Sequence, residues 1–253
     1  MENFAIAIPS YRRSESQESL KLLKKLGIQK DRIFIFVQTD EDYKKYSHNY
    51  AEDCSIILRH ATNVAQARNN ILDYFISEYG KIDILMLDDD ITKFGIFEKK
   101  LTEIENKEDF DRIFKKCFEI ANKRNVPLFG VYPIYNAFYM DRSITTKTTV
   151  NTLLGFTKKN SHRFNETYDA KEDIELCGRI LSRGKEVLRF DFLAIEAKHR
   201  TNEGGTKEIW KSDKHEKTVK RLCLAYPNIF APKKNNPKEV RMKPVIGGKK
   251  IKL

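Results

Sequence analysis

Apolar runs and amphipathic segments alternate along the first 130 residues of the chain. The apolar runs predict buried strands at Phe4–Ile8, Arg32–Val37, Ile82–Leu87 and Val126–Val131. The segments between them carry apolar residues at helical spacing, which predicts helices around Leu20–Leu26, Asn63–Tyr79 and Asp109–Lys123. Strands that alternate with helices are typical of α/β proteins in which helices cover both faces of the sheet. We therefore predict a Rossmann-like α/β fold with a mixed, mostly parallel sheet.

The pattern changes after the fourth predicted strand. Between Tyr135 and Lys159 the chain is rich in threonine and aromatic residues without helical spacing, which favours antiparallel strands or loops beside the sheet. We expect this insertion beside the sheet to be a place where a substrate binds. Farther along, the spacing predicts helices at Lys171–Ser182 and Lys207–Ala225, with a strand at Glu186–Ala197 between them.

Positive charge is concentrated at the end of the sequence. The chain has 47 Lys and Arg against 36 Asp and Glu, a net charge of +11. Residues 231–253 contain eight of the basic residues and one acid, Glu239. Their prolines and glycines favour an extended arm over a helix. We therefore predict one domain over 1–230 and a basic tail over 231–253, which suits a polyanionic partner.

The lengths of the apolar runs and the spacing of the cysteines exclude some classes of protein. No apolar run approaches the roughly 18 residues of a membrane span, so we expect no membrane partner. The four cysteines are Cys54, Cys117, Cys177 and Cys223, and they form no CxxC pair. This spacing favours reduced thiols over a zinc site or a disulfide framework and indicates a cytoplasmic location.

Three aspartates, Asp88 to Asp90, directly follow the predicted strand Ile82–Leu87. Ligands bind at the carboxyl ends of strands in open α/β sheets, and paired carboxylates suit a hard cation such as Mg²⁺ or Mn²⁺. The sequence has no GxxxxGK[ST], no GxGxxG after its first strand and no H-x-E with PCxxC. These absences argue against a P-loop NTPase, a dinucleotide-binding enzyme and a zinc deaminase. A nucleotide-sugar or nucleotidyl transferase remains.

Four short motifs occur in order along this scaffold. They are IPSYRR at Ile8–Arg13, NVAQARNN at Asn63–Asn70, LDDDI at Leu87–Ile91 and KEDIE at Lys171–Glu175. With these motifs the sequence resembles GT-A-fold glycosyltransferases over roughly Phe4–Arg200. Within that fold it is most similar to the glycosyltransferases associated with TET/JBP-type base hydroxylases, a group that includes the base J glucosyltransferase.

This resemblance implies an activity and its partners. It implies transfer of a sugar, glucose, from a UDP-linked donor to a hydroxymethylated pyrimidine base in DNA, with inversion and with Mn²⁺ or Mg²⁺ as cofactor. It is also compatible with a bacteriophage protein that acts in the host cytoplasm.

The resemblance further implies site residues. The implied donor-binding residues are Pro9, Ser10, Tyr11, Arg12, Asp40 (with Asp42 as its alternate), Arg68, Asn69, Asp88, Asp89, Lys198 and Arg200. The implied metal ligands are Asp88, Asp90 and His199. Asp173 is the implied catalytic base and Glu172 its alternate, because the acceptor hydroxyl must lose a proton as it attacks the sugar. Acids also favour helix N-termini through the dipole alone, so this assignment competes with a structural one.

Three other functions remain open at the level of sequence. A GT-A enzyme acting on a glycan, a lipid or a protein would keep the metal site without needing the basic tail. A nucleotidyltransferase would use Asp88 and Asp90 but release pyrophosphate. A non-catalytic nucleic-acid-binding module is disfavoured because the expected acidic positions are filled.

An enzyme that modifies a base inside a duplex must also expose the acceptor hydroxyl, by flipping the base or by access through a groove, and aromatic side chains are useful in that step. Tyr132, Tyr135, Phe138 and Tyr139 lie in the appropriate part of the chain. We expect most of them to belong to the core.

Overall fold

The computed structural model describes residues 4–198 and 214–252. Its strands are β1 (Ala5–Pro9), β2 (Ile33–Val37), β3 (Ser55–Leu58), β4 (Ile84–Leu87), β5 (Ile91–Phe97), β6 (Leu101–Glu103), β7 (Leu128–Tyr132), β8 (Ser143–Thr146), β9 (Leu153–Phe156), β10 (Leu188–Ala197), β11 (Phe230–Lys233), β12 (Asn236–Met242) and β13 (Lys250–Lys252). Its helices are α1 (Glu18–Lys25), α2 (Asp40–Tyr50), α3 (Val64–Tyr79), α4 (Lys107–Lys123), α5 (Glu172–Ser182) and α6 (Lys214–Ala225).

A large mixed sheet forms the centre of the molecule, in the order β13-β8-β10-β7-β9-β4-β1-β2-β3. Strands β1, β2, β3 and β4 are mutually parallel, and β7 pairs in parallel with β10. Strand β9 is antiparallel to both β4 and β7, so β7 runs in the same direction as β4. The carboxyl ends of β1, β2, β4 and β7 therefore meet at one edge of the sheet.

Two hydrophobic layers cover the sheet, one on each face. Alternate residues of β1 divide between them: Ile6 and Ile8 pack into the first layer, and Ala5 and Ala7 into the second. Helices α1, α2 and α4 contribute to the first layer, whereas α3, α5 and α6 contribute to the second. The predicted α/β fold with helices on both faces is confirmed.

Several elements were not predicted from the sequence. Helix α2 and strand β3 follow the second predicted strand. Strands β5 and β6 follow Asp88–Asp90, which we call the acidic turn. Helix α2 buries only Asp42 and Tyr46, so its sequence has no continuous apolar stripe. Strand β3 has four residues and no fully buried side chain. Such short or one-sided elements lack the periodicity on which the predictions rest.

Residues 231–252, expected as an extended basic arm, pack against the rest of the structure. Strands β11 and β12 form an antiparallel hairpin, and β13 pairs with β8 at the edge of the main sheet. Val240, Met242 and Val245 pack against the second hydrophobic layer. The predicted boundary at residue 230 falls at the first residue of β11.

No helix within the described residues, 4–198 and 214–252, combines the length and the apolar composition that crossing a bilayer requires.

Candidate active site

A cleft of about 1190 Å³ opens at the carboxyl edge of β1, β2 and β4. The loops after these strands supply one wall, and the N-termini of α3 and α5 supply another. The cleft is lined, among others, by Pro9, Ser10, Tyr11, Gln38, Thr39, Asn63, Arg68, Asp88, Asp89, Asp90, Thr152, Lys171, Glu172 and Asp173. Many of the residues implied by the sequence motifs thus face one space.

The backbone of the acidic turn is fixed at both ends. The Asp88 amide donates to the carbonyl of Thr152 at 2.9 Å, and the Ser19 hydroxyl donates to the carbonyl of Asp88 at 2.5 Å. Thr152 has a φ of +61°, and the Leu153 amide donates back to the carbonyl of Asn151. This is the geometry of a classic γ-turn, which is strained for a β-branched residue. Strained backbone of this kind occurs where surrounding contacts over-determine a functional position.

The three aspartates of the turn have different environments. Asp89 is 5% exposed; it accepts from the Ser10 hydroxyl at 2.6 Å and forms an ion pair with Arg13. Tyr46 and Gln17 also contact Ser10, so Asp89 belongs to a buried hydrogen-bonded network beneath the loop after β1. The resemblance implies that Asp89 binds the donor, and in the structure both of its carboxylate oxygens are paired within the protein. It holds the turn against that loop.

Arg68 connects the acidic turn to helix α5. Its guanidinium is 2.9 Å from Asp88 Oδ1 and 3.0 Å from Glu172 Oε1, and the residue is 5% exposed. Burial alone would lower the pKa of Arg68, but the carboxylates of Glu172 and Asp88 raise it. One buried cation therefore fixes two acids that are 84 residues apart in the sequence.

Of the two acids at the start of α5, Asp173 is the one with an available carboxylate in the cleft. Glu172 is 5% exposed and paired with Arg68. Asp173 is half-buried, and its Oδ1 accepts from the Ile174 amide at 2.7 Å. Lys171, the residue before them, has a φ of +57°, and this left-handed conformation turns the chain into the helix.

Acidic groups crowd the floor of the cleft. Burial, together with repulsion from Asp90, Asp89 and Asp173, raises the pKa of Asp88 to about 7 even though Arg68 opposes the shift. Burial, with repulsion from Asp173, likewise raises the pKa of Glu172 to about 7. The carboxylates at the floor of the cleft therefore repel one another.

The acidic turn suits a hard divalent cation. Asp88 directs its carboxylate into the cleft with 34% of the side chain exposed, and Asp90 lies two residues along the same turn. Residues 4–198 and 214–252 hold no group of three or more His, Cys, Asp or Glu side chains arranged to hold a metal. Mg²⁺ and similar ions are commonly bound by one or two carboxylates and completed by water and substrate phosphates. Asp88 and Asp90 fit that mode, whereas they do not form a closed protein cage.

One side of the cleft is built from two loops and one helix. Pro9, Ser10 and Tyr11 follow β1, and Gln38 and Thr39 follow β2. Across from them, Thr62, Asn63 and Val64 bring the first turn of α3 to the cleft, where the Asn63 side chain caps the Gln66 amide. The positive end of a 16-residue helix favours negative charge at this position.

Some implied donor-binding residues lie away from the cleft wall. Arg12 packs over the ring of Tyr11 with a φ of +53°. Asn69 is buried and hydrogen-bonds to both the amide and the carbonyl of Phe164, so it fixes the loop before α5. Asp40 is exposed at the first turn of α2. None of these three residues is among those that line the cleft, and their role in donor binding stays a prediction.

Of the remaining implied residues, Lys198 follows β10 and Asp42 lies on α2. Lys198 is exposed, and its Nζ is 3.0 Å from Glu18. Asp42, the alternate to Asp40, is buried and accepts from the Arg12 amide at 3.3 Å. His199 and Arg200 lie outside the described residues.

The sequence motifs missed one wall of the cleft, formed by the hairpin β11–β12 and the start of α6. Lys214, His215, Phe230, Glu239, Val240 and Met242 line it. Lys171 Nζ is 3.2 Å from Glu239 Oε2, which ties the hairpin to the start of α5. The one sequence signal was Glu239, the single acid in a basic segment.

Comparison with known proteins identifies the family. The model of the TET-associated glycosyltransferases matches residues 4–206. The chain belongs to the TET-associated glycosyltransferase family. The family predicted from the motifs is thereby confirmed. A search of curated protein sequences gave no match.

Solved structures support the GT-A-like fold of this TET-associated glycosyltransferase. Residues 1–349 of S. aureus TarS superpose with a TM-score of 0.52 at 11% identity. The TarS complex with UDP gives a TM-score of 0.51 at 10% identity. In both comparisons 88% of this chain is covered, and the chain spans 64% of the TarS fragment. At this level of identity the likeness concerns the fold.

Removing the buried guanidinium of Arg68 should destabilise the protein. We expect Arg68→Ala to lower the free energy of unfolding by about 3–5 kcal/mol, because it leaves buried Glu172 without its partner. Urea denaturation followed by circular dichroism measures the change. Arg112, which is 2.7 Å from Asp109 on the surface of α4, provides the control. Arg112→Ala should cost at most about 1 kcal/mol. Equal effects of the two substitutions would contradict the linking role of Arg68.

Proposed function

We propose that this protein transfers glucose from UDP-glucose to a hydroxymethylated pyrimidine base in DNA, with inversion at the sugar. The observation that carries the proposal is the convergence of Asp88, Asp90 and Asp173 on one cleft at the carboxyl edge of the parallel strands. Family membership supports the sugar transfer. The structural likeness to a UDP complex supports the choice of nucleotide.

The donor occupies the side of the cleft between β1, β2 and α3. A volume of about 1190 Å³ is sufficient for a nucleotide sugar with part of an acceptor. The loop after β1, including Tyr11, borders the base and ribose, and the first turn of α3 favours the diphosphate.

Asp88 and Asp90 would hold a divalent cation beside the diphosphate of the donor. When bound, this cation supplies positive charge where the departing nucleoside diphosphate gains negative charge. Arg68 keeps the Asp88 carboxylate in place and is itself held by Glu172. Through these contacts the protein fixes the geometry of the acidic turn before substrate arrives.

Asp173 accepts the proton of the acceptor hydroxyl. Its carboxylate lies in the same cleft as Asp88, at the start of α5, and one of its oxygens is oriented by the Ile174 amide. The hydroxyl oxygen then attacks the anomeric carbon from the side opposite the diphosphate, so a single displacement inverts that centre. Glu172, paired with Arg68, orients the turn and does not take the proton.

The acceptor enters past the hairpin β11–β12. Glu239, Val240 and Met242 of this hairpin line the cleft, and the basic residues of the same hairpin reach solvent. The exposed basic residues are Lys233, Lys234 and Arg241. Basic side chains beside a catalytic cleft suit the phosphates of a nucleic-acid acceptor.

Nucleoside analysis by mass spectrometry tests this function. Duplex DNA containing 5-hydroxymethylcytosine or 5-hydroxymethyluracil is incubated with the protein, Mn²⁺ and a panel of sugar nucleotides. We expect a hexosylated nucleoside with UDP-glucose and release of UDP. Release of pyrophosphate would indicate a nucleotidyltransferase, and transfer to a glycan, lipid or protein but not to DNA would contradict the proposed acceptor.

Neutralising the basic hairpin should weaken DNA binding in a salt-dependent way. In the triple variant Lys233→Gln, Lys234→Gln, Arg241→Gln, each lost phosphate contact lowers the slope of log Kd against log salt by about 1. Fluorescence anisotropy at several salt concentrations measures the slope. The matched control carries Lys115→Gln, Lys116→Gln and Lys123→Gln on the exposed side of α4, away from the cleft. If the two triple variants change the slope equally, the hairpin is not the DNA-binding surface.

A further inference from the structure

The loop between β7 and β8 presents large apolar side chains to solvent. Phe138 is 83% exposed, Tyr139 is 52% exposed and Ile134 is 51% exposed. The sequence suggested that most aromatic residues here are core, and for Phe138 and Tyr139 that expectation is wrong. Contiguous exposed apolar groups mark binding sites more often than single ones do. We call these three side chains, two aromatic and one aliphatic, the aromatic projection.

The aromatic projection lies at the same edge of the sheet as the acidic turn. Strand β7 runs in the direction of β4, with β9 between them, so the loops that follow β7 and β4 leave the sheet on the same side. Pro133, the first residue after β7, lines the cleft together with Asp88 and Asp90. The loop therefore starts at the cleft and carries Phe138 outward from its rim.

Local contacts hold the projection in an exposed position. The Phe138 amide donates to Asn136 Oδ1 at 3.0 Å, which forms the short turn Ala137–Tyr139. The Tyr139 ring meets Phe138 edge to face, with ring centroids 5.1 Å apart. Tyr139 is also parallel to Tyr132, whose other neighbour is the guanidinium of Arg189 at 4.6 Å. Because these contacts fix the turn, the Phe138 side chain stays exposed to solvent.

Three exposed basic residues lie on the segments next to the projection. Arg142 follows it in the chain and is exposed, and β13 brings Lys250 and Lys252 beside β8. The nearby acid Asp141 is paired with Lys250 at 2.5 Å. A flat apolar tip within a basic surface matches a ligand with stacked planar bases and a phosphate backbone.

We propose that the aromatic projection inserts into duplex DNA beside the target base and keeps that base out of the helical stack, with Phe138 as the inserting side chain. This inference rests on the proposed function, because it assigns the acceptor a bound conformation. The 5-hydroxymethyl group of a paired pyrimidine lies in the major groove, and extrusion of the base brings that group to a carboxylate inside the cleft. Phe138 is a positioning residue, since it contacts the acceptor and not the reacting atoms.

Transfer to paired and unpaired acceptors tests the insertion. In Phe138→Ala we expect kcat/KM on duplex hydroxymethylated DNA to fall roughly 10- to 100-fold, as for loss of one stacking contact. The same variant should retain nearly full kcat/KM on duplexes in which the target base is mismatched, because less unpairing is then required. Phe138→Trp should restore activity on the paired duplex. Leu224→Ala, at a position 82% exposed on α6, is the matched control and should be unchanged.

A second readout reports the insertion without catalysis. With 2-aminopurine placed next to the target base, binding of the wild type should raise the fluorescence, and Phe138→Ala should bind with a smaller rise. Equal fluorescence and equal kcat/KM for the two proteins would overturn the inference, as would an equal loss on paired and mismatched DNA. Failure of the wild type to glycosylate any DNA would instead overturn the proposed function, so the two failures are distinguishable.

Discussion

Asp88→Asn is expected to lower kcat by about 10³-fold or more while the fold is retained. The amide has the shape of the carboxylate and keeps an oxygen for Arg68, so the buried contact survives. What is removed is the negative charge with which the turn binds a cation. A cation at the leaving group contributes several kcal/mol to the transition state, and each 1.36 kcal/mol is a factor of ten in rate.

The measurement is steady-state release of UDP, with circular dichroism and a thermal melt to verify folding. Asp31→Asn provides the matched control, because Asp31 is exposed in the turn before β2, at the opposite edge of the sheet. It should match the wild type. An Asp88→Asn protein with kcat within about twofold of wild type would show that the turn has no role in the transfer.

Asp173→Asn is expected to lower kcat by about 10²–10⁴-fold without weakening donor binding. Asparagine keeps the oxygen that accepts from the Ile174 amide, but it cannot take a proton from the acceptor. Calorimetric titration with UDP should therefore give the wild-type Kd, whereas turnover should be lost.

Glu172→Gln distinguishes the two acids at the start of α5. Glu172 is buried and paired with Arg68, so its neutralisation should lower stability more than it lowers the rate of the chemical step. If Glu172→Gln abolished turnover at unchanged stability while Asp173→Asn stayed active, the base would be Glu172.

The sequence was informative wherever one element carried its own signal. Runs such as Ile33–Val37 are bounded by polar residues and too short for a typical helix, and they are buried throughout as interior strands. The acidic turn was placed correctly at the carboxyl edge because parallel strands bring their ends together. These inferences require only local pattern and one general rule of α/β topology.

The sequence failed where a role depends on contacts between distant segments. Asp89 looks like its neighbours in the chain, and only the packing of the loop after β1 commits it to Ser10 and Arg13. The ion pair of Lys171 with Glu239 joins residues 68 positions apart, and the motif that contains Lys171 gives no sign of this contact. The segment Lys250–Lys252 forms a strand because β8 offers an open edge, not because of its own composition.

The exposure of individual aromatic residues also depends on contacts between distant segments. Aromatic side chains in an α/β protein are usually core, and sequence alone cannot distinguish a core ring from a presented one. Phe129 and Phe138 are nine residues apart, yet the first is fully buried and the second is 83% exposed. Their difference arises because Phe129 is a residue of a central strand, whereas Phe138 is on a turn beyond the end of that strand.

Calorimetric titration of the wild-type protein with UDP, with and without Mn²⁺, tests whether the acidic turn builds the donor site. We expect tight binding in the presence of Mn²⁺, a large loss of affinity after chelation, and little response to Mn²⁺ in Asp88→Asn or Asp90→Asn. Equal affinity for UDP with and without Mn²⁺, unchanged by either substitution, would contradict a donor site built on the acidic turn.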